Sequence, residues 1–279
     1  MPPWARADLR PDEAAVRCVG TRHRRQAPAS RSAGVRSEGG PGVNGAVLRV
    51  AGDDHFQVVI VVLINNYNTQ HGQRALACVY SSETGLWGDL ISTPIPFEPD
   101  SVVCAIRDPA VLVGDSLYWK LSGFSTSILE FDFEKQSLAV IWVPVDESEY
   151  ENDFKVIRAD GGGLGFLFVS DFNAQLWERN INCDGVASWV LGRTIELDKL
   201  LSLDSEVEDD IVILGFAEEN NMVLLWTESG SFMVQLQSLQ FKKLSGFNST
   251  TDYIPYESVY TAETEIGGEH DGADLFHNA

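Results

Sequence analysis

The sequence predicts an all-β chain, a β-propeller of four-stranded blades, on three observations. Apolar residues come in short runs separated by turn chemistry, helix periodicity is almost absent, and the runs recur in sets of four. With the third strand of each set placed at Val79, Leu129, Leu176 and Val234, the spacings are 50, 47 and 58 residues. Four strands and their loops take about 40 to 50 residues, so the repeat favours a propeller over a β-sandwich, whose strands would not group by fours. Residues 50–263 hold four to five such blades, and the sequence leaves open whether they close into a ring.

The elements follow in order. Residues 1–49 of the 279 carry nine arginines against four acids, with Trp4 the sole aromatic. Rich in Ala, Arg, Gly and Pro, and lacking a period of 2 or 3.6, this stretch cannot bury enough apolar surface to offset the entropy of ordering it. It reads as a disordered basic tail. Asp8, Asp12 and Glu13 count against an organelle transit peptide, and the lack of an apolar stretch counts against a secretory signal. The first set of strands is expected at 56–65, 75–81 and 86–91, and the second at 110–114, 116–121, 128–133 and 138–143. The third is expected at 154–159, 165–169, 175–179 and 188–197, and the fourth at 211–217, 222–227, 231–237 and 240–244.

Alternation is clearest in Leu129-Glu130-Phe131-Asp132-Phe133-Glu134, where apolar and acidic residues must face opposite sides of a sheet. Turn chemistry punctuates the runs at Gly114-Asp115, Gly161-Gly162-Gly163, Cys183-Asp184-Gly185 and Ser229-Gly230, among others. The best helix candidate is 195–203, at most two turns. Residues 264–279 read as a flexible acidic tail.

The formal charge of −21 is unevenly spread, with 11 basic and 37 acidic residues after position 49. Nucleic acid is therefore a poor ligand, since a phosphate backbone is bound by matching it with Lys and Arg. Cys18, Cys78, Cys104 and Cys183 are too few and too far apart for a disulfide scaffold or a zinc site, which fits a reducing compartment, cytoplasmic or nuclear. The longest strictly apolar run, 58–64, has seven residues where about eighteen are needed to span a bilayer, so no membrane insertion is expected.

No enzyme signature emerges. The five histidines, His23, His55, His71, His270 and His277, lack metal-ligand spacing, and no metal or other cofactor is expected. Asp53-Asp54-His55 reads as a solvated turn. The run Gly161-Gly162-Gly163-Leu164-Gly165 lies between two strands and reads as a hairpin rather than a phosphate loop. Asp204, Glu206, Glu208, Asp209 and Asp210 lack the glycine and terminal Glu of a calcium loop. Asn248-Ser249-Thr250 is a glycosylation sequon without a secretory signal to expose it. Six of the seven tryptophans, Trp87, Trp119, Trp142, Trp177, Trp189 and Trp226, fall in expected strands and are assigned to packing between blades.

In such blades the second-to-third hairpins and the fourth-to-first connections leave from one end of each sheet. Two of those connections concentrate charge. One carries Asp146, Glu147, Glu149, Glu151 and Asp153; the other carries Asp198, Asp204, Glu206, Glu208, Asp209 and Asp210, opposed by Lys199 alone. Solvated acidic loops keep an all-β surface soluble, and the same charge would select a basic protein. Asp146, Glu147, Glu149, Asp204, Glu206, Glu208, Asp209 and Asp210 are the candidate partner-binding residues.

The stretches Pro109-Ala-Val-Leu-Val-Gly-Asp-Ser-Leu-Tyr-Trp119, Ile128-Leu-Glu-Phe-Asp-Phe133 with Ser137-Leu-Ala-Val-Ile141, and Val79-Tyr-Ser-Ser-Glu-Thr-Gly-Leu-Trp87 resemble the blade motifs of plant F-box-associated β-propeller proteins. Leu224-Leu-Trp226, Phe232-Met-Val-Gln-Leu236 and Tyr253-Ile-Pro-Tyr-Glu-Ser-Val-Tyr260 are similar to the end of that domain. The resemblance covers residues 50–263. It implies a protein-interaction module, the substrate-recognition part of an SCF-type ubiquitin ligase, with no catalysis of its own. In that family an F-box binds a Skp-type adaptor, whereas residues 1–49 contain no Leu-Pro and acidic F-box opening. The chain thus reads as a member lacking its F-box and first blades, and the adaptor is not an expected partner of these residues. A propeller enzyme acting on sugars and a nonfunctional truncated fragment are the competing readings.

Overall fold

The computed structural model describes residues 42–49, 55–65, 73–96, 105–122, 126–145, 154–203, 211–218 and 220–244. Among them, strands form four antiparallel sheets, each laid out in chain order from one edge to the other. The chain divides into two compact units, residues 1–149 and 150–279.

The first unit holds two sheets. One runs β1 (Val43–Arg49), β2 (Phe56–Asn65), β3 (Gln73–Ser81), with the outer position shared by β4 (Leu86–Trp87) and β5 (Ile91–Ile95), both paired to β3. The other runs β6 (Val111–Val113), β7 (Ser116–Leu121), β8 (Ser127–Asp132) and β9 (Ser137–Trp142). Gly114, at φ 56°, occupies the first of the two residues joining β6 to β7, where a tight hairpin needs a positive φ.

Alternation decides which face of each strand is buried. Val59, Val61 and Leu63 on β2 and Ala75 and Ala77 on β3 share a core with Leu117, Trp119 and Leu121 on β7 and Leu129 and Phe131 on β8. Each large side chain removed from water there contributes about 1.5–3 kcal/mol. Glu130 points to the opposite face, where its carboxylate accepts a 2.8 Å hydrogen bond from the Tyr118 hydroxyl of the facing strand. At the β8–β9 turn Asp132 accepts from the Lys135 backbone N–H and ammonium, and these bonds hold its carboxyl below the ordinary carboxylate range.

The second unit also holds two sheets: β10 (Phe154–Arg158), β11 (Leu164–Ser170), β12 (Asn173–Ile181) and β13 (Ala187–Glu196), then β14 (Val212–Ala217), β15 (Met222–Thr227), β16 (Gly230–Gln235) and β17 (Phe241–Leu244). A single helix turn, α1 (Leu197–Leu201), follows β13 directly. Ile157, Leu167, Val169, Ala174 and Ile195 of the first sheet share a core with Ile213, Val223, Leu225, Phe232 and Val234 of the second, and α1 adds Leu197 and Leu201. On the other face of the β10–β13 sheet, Phe166 stacks on Trp177 at 5.8 Å and meets Trp189 edge-on at 4.9 Å.

The third strands carry Val79, Leu129, Leu176 and Val234, as the repeat requires. The Gly161-Gly162-Gly163 run is the β10–β11 hairpin, closed by the Ala159 N–H donating to the Gly163 carbonyl at 2.9 Å.

Two expectations are corrected. The boundary of the tail is too late, because residues 43–49 form β1 and complete the first set; the remainder of the tail, and residues 264–279, lie outside the described residues. Their alternation is masked in the sequence because Gly45 and Ala46 stand where larger apolar residues would mark a strand. At Gly45 a Cβ would lie 2.7 Å from the Val59 carbonyl oxygen, so the close approach of β2 demands the smallest residue. Asp53-Asp54-His55, expected as a solvated turn, falls between β1 and β2 in the sequence; His55 is described and both aspartates lie outside the described residues. The tryptophans lie in strands as expected, and Trp119 is fully buried, but Trp142 is 45% exposed at the end of β9, the outer strand of its sheet.

Candidate functional site

Strand register fixes where the charged connections start. Ser127 of β8 lies opposite both Leu121 of β7 and Trp142 of β9, so β9 ends beside the β7–β8 connection. The same holds in the third sheet, where Asn173 lies opposite Ser170 and Glu196, and in the fourth, where Ser231 follows the β15–β16 turn and lies opposite Leu244. Within each sheet the second hairpin and the exit of the outer strand therefore share one end, as the sequence leads one to expect.

The eight candidate acids, Asp146, Glu147, Glu149, Asp204, Glu206, Glu208, Asp209 and Asp210, lie outside the described residues. What is described is the root of the second acidic connection. The Leu197 N–H donates to the Phe172 carbonyl at 2.7 Å, tying α1 to the β11–β12 turn. Leu197 and Leu201 are buried, and Ser202 ends the turn in a left-handed conformation, with the Leu203 N–H returning to the Asp198 carbonyl at 2.9 Å. Asp198 sits in the first turn, where a negative charge suits the N-terminal dipole. The Lys199 ammonium donates to Glu196 at 2.7 Å, and this contact raises the lysine pKa. Both side chains are exposed, so the pair adds little stability, but it occupies the one basic residue in the sequence 198–210.

Sequence reasoning missed Arg193. It lies on β13 beside the bulge at Gly192, and its guanidinium donates to the Leu236 carbonyl at 2.8 Å, joining the two sheets of this unit. Arg193 also lines two adjoining hollows. One is an open groove of about 580 Å³, bounded by Ile195, Glu196, Lys199, Leu200 and Leu239. The other, of about 300 Å³, is bounded by Arg158, Asp160, Trp177, Glu178 and Gln237 among others, and Gln237 there donates to Asp160 at 3.2 Å. The available signal was a lone arginine ending the uncharged run 185–192. Mixed polar and apolar walls of this kind suit a peptide more than a buried small molecule.

Among the described residues no three or more His, Cys, Asp or Glu side chains converge as a metal site, and no helix is long and apolar enough to cross a membrane. Cys183 is exposed at the β12–β13 turn, while partial burial pushes the Cys78 thiol pKa up.

No curated protein matches the chain. The model of a family described as F-box protein AT5G49610-like, beta-propeller, matches residues 27–259, which takes in every described strand, β1 included. A match of that extent, on four successive sheets of the propeller pattern, makes the chain a member of the F-box protein AT5G49610-like β-propeller family.

Proposed function

We propose that this propeller domain is a non-catalytic protein-interaction module that holds the substrate of an SCF-type ubiquitin ligase and selects a basic protein through its acidic connections. The single observation that carries the reading is the family match over residues 27–259. Charge supplies the selectivity: complementary fields steer encounter and reject like-charged partners, and 37 acids face 11 bases after residue 49. Contact with a Skp-type adaptor is not assigned to residues 1–49, which lack an F-box opening. A cytoplasmic or nuclear site of action fits the sparse cysteines and is part of the proposal.

The test is a combined Glu206→Lys, Glu208→Lys and Asp209→Lys variant, assayed against a partner identified by affinity purification and mass spectrometry. Association should slow about tenfold or more at low salt, and its dependence on ionic strength should flatten. A partner that binds the variant at the original rate would overturn charge selection, and purification that yields only chaperones would overturn the module itself.

A further inference from the structure

Arg193 and Glu178 carry opposite charges and line the same hollow of about 300 Å³ in the second unit, yet the fold does not pair them. The Arg193 guanidinium is drawn to the Leu236 carbonyl, to which it donates at 2.8 Å, and this engages only part of its fork of N–H donors. Glu178 lies toward the bulge at Gly192, where a Cβ would stand 3.7 Å from its Oε1, so the missing side chain leaves room for the carboxylate. Among the described residues no hydrogen bond or ion pair holds the Glu178 side chain. A guanidinium and a carboxylate that face one cavity without neutralising each other each keep bonding capacity for a ligand group of the opposite sign.

The charges on the walls balance, Arg158 and Arg193 against Asp160 and Glu178. Such a lining favours a group that bears both signs over a bare cation or a bare anion, because either alone meets like charge as well as unlike. Ile157, Leu176 and Leu236 supply the apolar part, against which the methylenes of a long basic side chain can lie. A volume of about 300 Å³ is at the bottom of the range for ligand sites and takes one residue rather than a run of them. Arg193 also lines the groove of about 580 Å³, so a chain that ends in the smaller hollow has a path for its preceding residues.

We propose that this hollow holds the C-terminal residue of a partner protein, a basic one, with its chain-end carboxylate on the Arg193 guanidinium and its side-chain cation on the Glu178 carboxylate. A free amino acid also carries both signs, but it would make no use of the adjoining groove. A second copy of this chain is excluded as the occupant by its own end, which is Ala279. The inference rests on the interaction-module reading and names the part of the partner that is held.

The probe is a fluorescein-labelled pentapeptide, Gly-Ser-Ala-Gly-Lys with a free C-terminus, titrated into the full chain. Its controls are the same peptide closed as an amide, a version ending in norleucine, which keeps the carboxylate but not the ammonium, and free lysine as a competitor. The free-acid lysine peptide should bind, and the amide and norleucine versions should bind at least about tenfold more weakly, the scale of one lost charge-assisted hydrogen bond. Replacing Arg193 would also cut its tie to Leu236, so Glu178→Gln, whose side chain makes no internal bond, is the deciding variant. It should weaken the lysine peptide about tenfold and leave the norleucine peptide unchanged. Absence of binding, an amide or norleucine peptide that binds equally well, an unaltered affinity in Glu178→Gln, or free lysine competing as well as the peptide would each overturn the proposal. Those failures leave the module reading standing, since it falls only if the purified chain holds no protein partner.

Discussion

Gly165 shows how closely two strands can be bound to a residue's identity. It sits on β11 with Glu178 opposite, and a Cβ there would lie 2.7 Å from the Trp177 carbonyl oxygen and 3.2 Å from the Ala159 Cβ. Gly163, two residues earlier in the hairpin, has nothing within 4 Å of the same position. Gly165→Ala should therefore destabilise the chain by about 1–3 kcal/mol, the usual cost of forcing atoms into a packed site. Gly163→Ala should stay within about 0.5 kcal/mol of the original. Urea unfolding followed by tryptophan fluorescence measures both, and equal effects would contradict the close approach. The sequence marks both glycines alike, because only the neighbouring strand separates a required glycine from a tolerated one.

At the scale of elements, α1 is the anchor from which the longer acidic connection departs. Five residues are too few for a helix to persist in water, where isolated helices shorter than about 12–15 residues are marginal, so tertiary burial must hold it. Leu197 is fully buried and Leu201 nearly so in the core of the second unit. Leu197→Ala should cost about 2–5 kcal/mol, and chemical unfolding is the measure; a loss below about 1 kcal/mol would mean the turn is not held by its core contacts. The sequence marked this element beforehand as the helix candidate 195–203, on the shared face of Leu197, Leu200 and Leu201. Its start was placed too early, since Ile195 and Glu196 still pair with Ala174 and Asn173 as strand. Pairing across the sheet won over local helix periodicity there. β1 failed to show for the reverse reason: short small residues weaken a pattern that pairing with β2 makes definite.

For the whole molecule, charge sets behaviour more than fold does. A net charge of −21 keeps chains apart at neutral pH, and the repulsion fades as carboxylates protonate toward the isoelectric point of about 4.4. Light scattering from pH 7 downward should show association rising to a maximum near pH 4.4 and receding below it, as net positive charge builds; association that is flat across this range would contradict the argument. The candidate site was legible only in part. The acidic runs could be read directly, because charge is a property of composition, and so could the end of each sheet from which they leave, because antiparallel order fixes it. The groove around Arg193 could not, since its walls come from β13, α1 and the β16–β17 turn, which are distant in sequence and meet only through packing.

By itself the sequence determined the strand sets, their repeat, the hairpin positions and the placement of charge, since period-2 burial and turn chemistry act over a few neighbouring residues. Tertiary structure decided that residues 43–49 are a strand, that Gly45 and Gly165 admit no larger residue, and that Arg193 joins two sheets. Each of these depends on which chain segments come within van der Waals or hydrogen-bond distance, and no local pattern encodes that.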